Sequence, residues 1–189
     1  MARPKSDDKR NALMDAATRV ILAQGLAAPT AAIAKAAGIS SGSLFTYFKT
    51  KSELFNALYL ELKTEMAQAS LHGMPPKAPL REQFEHMWHH WMRWAGKFPA
   101  KRRALALLGV SDEITPVTRA AGHQAMLEIA GMLERARAKG PMRHASMAFV
   151  GTILNSVADA TMDFVINEPG KADEHMRVGF DALWRMVAG

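Results

Sequence analysis

Hydrophobic positions recur with helical spacing along almost the whole chain. Leu13, Ala17, Val20 and Ile21 line one side of a stretch from Ser6 to about Gln24, which predicts an amphipathic helix. Ser6 is placed to cap it, Asp7 and Asp8 suit its positive end, and Gly25 closes it. Ile33, Ala34 and Ala37 give a second, short helix that Thr30 is expected to cap. Gly38 supplies a left-handed exit, and Ser40 caps a third helix with Leu44 and Phe48 on its inner face. A longer helix opens at Lys51 or Ser52 and carries Leu54, Phe55, Leu58, Leu62 and Met66 on one face. Beyond the His72–Pro79 loop, further helices are expected over residues 80–97, 99–108, 117–138, 143–167 and 171–187. Breaks fall at Pro75-Pro76, Gly140-Pro141 and Pro169-Gly170. No stretch shows sustained strand alternation. The prediction is an all-α protein of about nine helices, with a three-helix module over 1–51 and a helical body over 52–189.

The second and third helices, with a glycine turn between them, have the pattern of a helix-turn-helix. Ala34 is small enough for the two to cross closely. The outer face of the third helix carries Ser41, Gly42, Ser43, Thr46 and Tyr47, short hydrogen-bonding groups and one phenol suited to base edges and phosphates in a major groove. Thr30 and Lys51 flank this face and are expected to hold phosphates. Phe45 is expected to pack and not to contact. A plain helical hairpin has the same glycine, so the combination of residues carries the reading, not any single one.

Thr30, Ile33-Ala34, Ala37-Gly38, Ser40, Gly42, Leu44, Tyr47-Phe48, Lys51 and Leu54 together resemble the N-terminal domain of the tetracycline-repressor (TetR) family. The specific resemblance covers about residues 8 to 55. It departs at Phe45, where the family usually has Tyr, and at the bland Ala31 and Ala32. What the resemblance implies is a cytoplasmic transcription regulator: a homodimer on a palindromic, double-stranded DNA operator, released by a small-molecule effector.

Charge supports the DNA reading. Of a net charge of +6, five units belong to residues 1–51, which hold eight Lys/Arg against three Asp. A polyanion partner calls for such a footprint. Residues 1–5 form a basic arm that reads either as a solvated tail or as a further phosphate contact. The chain has no Cys, which excludes disulfides, thiolate catalysis and Cys-based zinc sites. No apolar leader opens it, and no apolar run reaches the roughly 18 residues of a membrane span.

The body offers weaker signals. Phe84, Met87, Trp88, Trp91, Trp94 and Ala95 share one face of the fifth helix, either as core or as the wall of a cavity for an apolar or aromatic effector. Phe84, Trp88, Trp91 and Met126 are the candidate lining. Asn155, Asp159 and Asp163 form a stripe on the penultimate helix that is either an exposed edge or a polar anchor, with Asp159 and Asp163 the candidates. That helix is apolar around most of its circumference, which predicts burial on two faces. Phe149, Ile153, Phe180, Leu183 and Trp184 are the candidate dimer interface, in the last two helices. His86, His89 and His90 read as a solvated face with Glu82 and Arg93. A metal centre is not expected, since the zinc-hydrolase spacing and a matching set of acids are missing, and no cofactor is expected. Phosphate loops and nucleophile elbows are also missing, which disfavours an enzyme. The alternatives are a DNA-binding nucleoid or adaptor protein without an effector and, less favoured, a helical enzyme.

Overall fold

The computed structural model describes residues 5–189; residues 1–4 and the side chains of Lys5 and Ser6, and with them the basic arm and the Ser6 cap, lie outside that description. Among the described residues there are ten α-helices, one short 3-10 turn and no strand. The chain divides into two compact units.

The first unit runs to Lys63 and takes in Ala100–His123. By packing it extends beyond the division drawn at residue 51. It holds α1 (Lys5–Gln24), α2 (Thr30–Ala36), α3 (Ser41–Tyr47), the first part of α4 (Lys51–Leu71), and most of α6 (Pro99–Gly109) and α7 (Pro116–Ala125). Its core is one continuous cluster: Leu13, Ala17 and Ile21 from α1, Ile33 and Ala34 from α2, Leu44 from α3, Leu54, Phe55 and Leu58 from α4, and Ala104 and Leu108 from α6. Gly25 and Gly38 end α1 and α2 at φ of +76° and +70°, a conformation that costs other residues their Cβ clearance. Thr30 does not cap α2. Pro29 occupies the capping position and Thr30 is already helical, so its hydroxyl makes no capping bond. At the start of α4, Thr50 accepts from the Glu53 N–H at 3.0 Å, and the Glu53 carboxylate accepts from the Lys49 N–H at 2.7 Å, an N-terminal cap that the sequence reading missed. The guanidinium of Arg10 reaches Glu61 at 3.1 Å, joining α1 to α4.

The second unit comprises Thr64–Pro99 and Gln124–Gly189. It holds the rest of α4, α5 (Leu80–Lys97), α8 (Leu127–Arg137), α9 (Met147–Asn167), the 3-10 turn Pro169–Lys171 and α10 (Ala172–Val187). Helix α5 packs against α8, α9 and α10. Phe84, Met87, Trp88 and Met92 meet a core that includes Val150, Leu154, Ala158, Met162, Phe180 and Leu183.

Three expectations change here. The single helix over 117–138 is two: it breaks at Met126, close to where the chain passes from the first unit to the second. α9 begins at Met147, not Arg143. The Arg137 guanidinium binds the carbonyls of Met142, Arg143 and Ala145 and so holds the chain before α9 in a turn, and Ser146 caps α9 by accepting from the Phe149 N–H at 3.2 Å. α9 is also buried on one face within the chain instead of two, leaving Phe149 and Phe164 more than half exposed. By length and composition it is apolar enough to cross a bilayer, contrary to the sequence reading. Its inner positions, Val150, Leu154, Ala158, Met162 and Val165, pack into the core, and that role accounts for the composition.

Candidate nucleic-acid interface

Helix α3 is two turns long, too short to persist by propensity alone. Two contacts hold it. Leu44 is wholly buried, with Phe48 just beyond the C-terminus almost so, and the Ser40 hydroxyl accepts from the Ser43 N–H at 3.1 Å. The outer face then follows from helical geometry. Ser41, Gly42 and Thr46 are exposed, and Ser43 and Tyr47 are half-buried. The Ser43 hydroxyl sits 2.9 Å from that of Ser40, and the Thr46 hydroxyl donates to the Ser43 carbonyl at 2.7 Å. Both hydroxyls are thereby oriented, and each keeps lone pairs that accept. Tyr47 packs its ring against the core.

A Cβ at Gly42 would meet nothing nearer than the Ser40 hydroxyl at 3.9 Å. The chain's own packing therefore leaves room for a side chain at Gly42, and the bare backbone faces outward. Phe45 departs from expectation: it is 46% exposed. One position after Leu44 on a helix turns the ring about 100° away from the core. Among the residues on this face it is the one that sequence reasoning misplaced.

Lys51 and Thr30 are both half-buried at the flanks. The Lys51 ammonium lies 5.3 Å from the centre of the Phe55 ring, which restrains the stem and leaves the charge open to a phosphate. Arg19 donates to the Ala36 carbonyl at 3.2 Å, tying α1 to the end of α2.

The other candidate residues are not brought together. Phe84 and Trp88 are fully buried, and the Trp88 indole is committed to the carbonyl of Met176. Trp91 packs edge-on to Trp88, with ring centres 6.3 Å apart. Asp159 and Asp163 stand on the exposed side of α9, and Met126 sits at the break before α8. Phe180 and Leu183 are wholly buried inside the chain, so they are core and not a surface for a partner. Trp184 is half-buried between Phe84 and Phe180, each with its ring centre 6.0 Å away. On the interface side, Phe149 is exposed and Ile153 half-buried.

The histidines of α5 are half-buried, not a solvated face. His86 meets the His72 carbonyl at 2.8 Å and stacks on His90 with ring centres 4.1 Å apart, because the end of α4 and the following loop cover them. Burial lowers the pKa of both His89 and His90. Among the described residues no group of three or more His, Cys, Asp or Glu is arranged to hold a metal.

Comparison with known proteins agrees with this geometry. The family of bacterial regulatory proteins described as tetR matches residues 13–58. An uncharacterized HTH-type transcriptional regulator of Bacillus subtilis, YhgD, is 35% identical over 78 residues, a match spanning 41% of each chain. A TetR family transcription regulator from Marinobacter aquaeolei superposes with a TM-score of 0.86 at 22% identity, covering 99% of both chains. The regulator FadR from Bacillus subtilis, solved in complex with stearoyl-CoA, gives 0.67 at 17% identity over 94% of this chain and 97% of its own. Residues 13–58 thus match the N-terminal domain of the TetR family, and the chain as a whole has the fold of solved TetR family regulators.

Proposed function

We propose that the protein is a transcription regulator that binds operator DNA as a homodimer and is released by a small molecule. The observation that carries the DNA reading is α3: a helix anchored on one side by Leu44 with an outward polar face on the other, its Ser43 and Thr46 hydroxyls oriented by local hydrogen bonds. Ser41, Ser43, Thr46 and Tyr47 enter the major groove, Gly42 allows close approach, and Thr30 and Lys51 hold phosphates. Phe45 adds an apolar contact, to a thymine methyl or a sugar.

Dimerisation rests on α9. Phe149, Ile153, Ser156, Ala160 and Phe164 fall within an arc of roughly 80° at 100° per residue, and all but the half-buried Ile153 are exposed. A second copy covers this stripe in an isologous contact. The effector reading is supported by the family and by the neighbour solved with stearoyl-CoA. Phe84 and Trp88 take no part in it, being committed to the core. A non-enzymatic role in the cytoplasm follows from the same reading.

The test is a mobility shift on the DNA upstream of the protein's own gene, over a range of salt. Lys51→Ala should weaken all sequences alike and reduce the salt slope by about one unit. Unchanged affinity and slope would remove Lys51 from the interface. Binding that no small molecule alters would favour an adaptor protein without an effector.

A further inference from the structure

The charges of α4 are unevenly matched within the first unit. Lys63 has Tyr59, Leu60, Met66 and Ala67 at the helix positions three and four residues away, none of them acidic. The three acids of α4 are engaged elsewhere: Glu53 with the Lys49 N–H, Glu61 with Arg10, and Glu65 with the Trp94 indole. α7 has no acid at all; it brings Arg119 and Gly122 to this region. The Lys63 ammonium lies 5.9 Å from the centre of the Tyr59 ring, and no ion pair of the described residues includes it. Tyr59 is held flat by Gly122, where a Cβ would come within 3.0 Å of the ring and 3.5 Å of the hydroxyl. That hydroxyl makes no hydrogen bond to another described residue.

We propose that Lys63 and Tyr59, beside Gly122 of α7, form a binding site for the anionic group of an organic ligand. A half-buried ammonium without a carboxylate partner carries a desolvation cost that an incoming anion offsets. Burial accordingly pushes Lys63 below the usual lysine value and the Tyr59 phenol above its own, with Arg119 partly opposing the latter. The phenol therefore stays protonated as a donor, while the Tyr59 ring itself is buried in the core of the first unit and holds the hydroxyl in place. Arg119 is already bound to the carbonyls of Gly109 and Ser111, each at 2.7 Å, so it adds positive potential without direct contact. The ligand class is an organic acid with an apolar body, its acid on Lys63 and the Tyr59 hydroxyl and its body beside Leu60, the half-buried apolar residue one turn earlier on α4. Assigning this ligand as the effector rests on the regulator reading above; the site itself does not.

The experiment is calorimetric titration of the full chain, without DNA, using two anions and their neutral counterparts: dodecanoate against dodecanol, and anilinonaphthalene sulfonate against phenylnaphthylamine. At least one anion should bind. Lys63→Met should weaken it about tenfold or more while leaving its neutral counterpart within about twofold, and Lys63→Arg should restore it. Tyr59→Phe, which keeps the ring, should weaken the anion about threefold. Circular dichroism verifies that each variant is folded. Failure of both anions to bind the wild-type chain, an unchanged affinity in Lys63→Met, or equal losses for anion and neutral probe would overturn the proposal, as would inorganic phosphate binding as tightly as either anion. If the anion binds through Lys63 but leaves DNA affinity unaltered, the site stands and the effector assignment falls.

Discussion

The indole N–H of Trp88 on α5 donates to the backbone carbonyl of Met176 on α10 across 2.9 Å of fully buried space. Gly179, one turn later, lets the ring lie close: a Cβ there would press on both Thr161 and Trp88. This tryptophan therefore fixes α10 against α5. Trp88→Phe removes this second hydrogen bond to a carbonyl that keeps its intrahelical one, and leaves a small void, so it should cost about 2–4 kcal/mol of stability. Chemical denaturation measures this. A loss below about 1 kcal/mol would mean that this contact does not fix α10 against α5.

At Gly42 the expected outcome separates fold from function. Gly42→Ala meets no neighbour and improves helix propensity, so the melting temperature should hold or rise slightly. DNA affinity should nevertheless fall about tenfold if the bare backbone approaches the duplex closely. Phe45→Ala should likewise leave stability within about 0.5 kcal/mol and weaken DNA binding. Mobility shifts beside thermal melts decide both cases, and undiminished DNA binding in both variants would place the duplex elsewhere.

Association and stability should separate in the same way along the last helices. Phe164→Glu puts a charge on the exposed stripe of α9 and should give monomers by light scattering with the fold intact. Phe180→Ala removes a wholly buried ring and should cost about 3–5 kcal/mol. A dimer that survives Phe164→Glu unchanged would locate the interface on another surface.

Acid should loosen the second unit. Burial is the main cause that holds His89 and His90 below the ordinary histidine value of 6.5. Around His89, Glu85 and Asp173 pull upward and Arg93 and His86 push downward. Around His90, His86 pushes down most among the neighbours, the Ala69 carbonyl pulls up, and Arg93 and His72 push down. Below pH 6.5 the unfolded chain takes protons that the folded chain resists. The contribution is complete above that value and is lost as the pH falls toward the depressed folded values. Thermal melts from about pH 8 to pH 5 should therefore decline less steeply in a His89→Gln, His90→Gln double variant than in the wild type. Equal slopes would assign acid sensitivity to other groups.

The geometry of the helix-turn-helix and of the outer face of α3 was legible in the sequence because its determinants are local. Gly38, the Ser40 cap and the Leu44–Phe48 spacing act within two turns of one another, and helical geometry then sorts inner from outer positions. Phe45 was misplaced because an aromatic side chain suggests burial, whereas its angle from Leu44 turns it outward. The body was less legible. An aromatic stripe such as Phe84, Trp88 and Trp91 reads the same as core or as cavity wall. The two differ only through distant partners, here the carbonyl of Met176 and the small Gly179. The same distance effect hid which apolar residues of α9 and α10 were already taken: Phe180 and Leu183 have the pattern of anchors, but the chain itself covers them.

The anchoring of α3 through Leu44 and the adjoining Phe48 also bears on descent. The residues facing outward, Ser41, Gly42, Phe45 and Thr46, contribute almost nothing to the core. On the proposed reading of this face, mutations there redirect the protein to a new operator without first finding a compensating repair elsewhere. A duplicated copy of the gene could thus diverge in target within a few substitutions while inheriting the rest of the molecule unaltered.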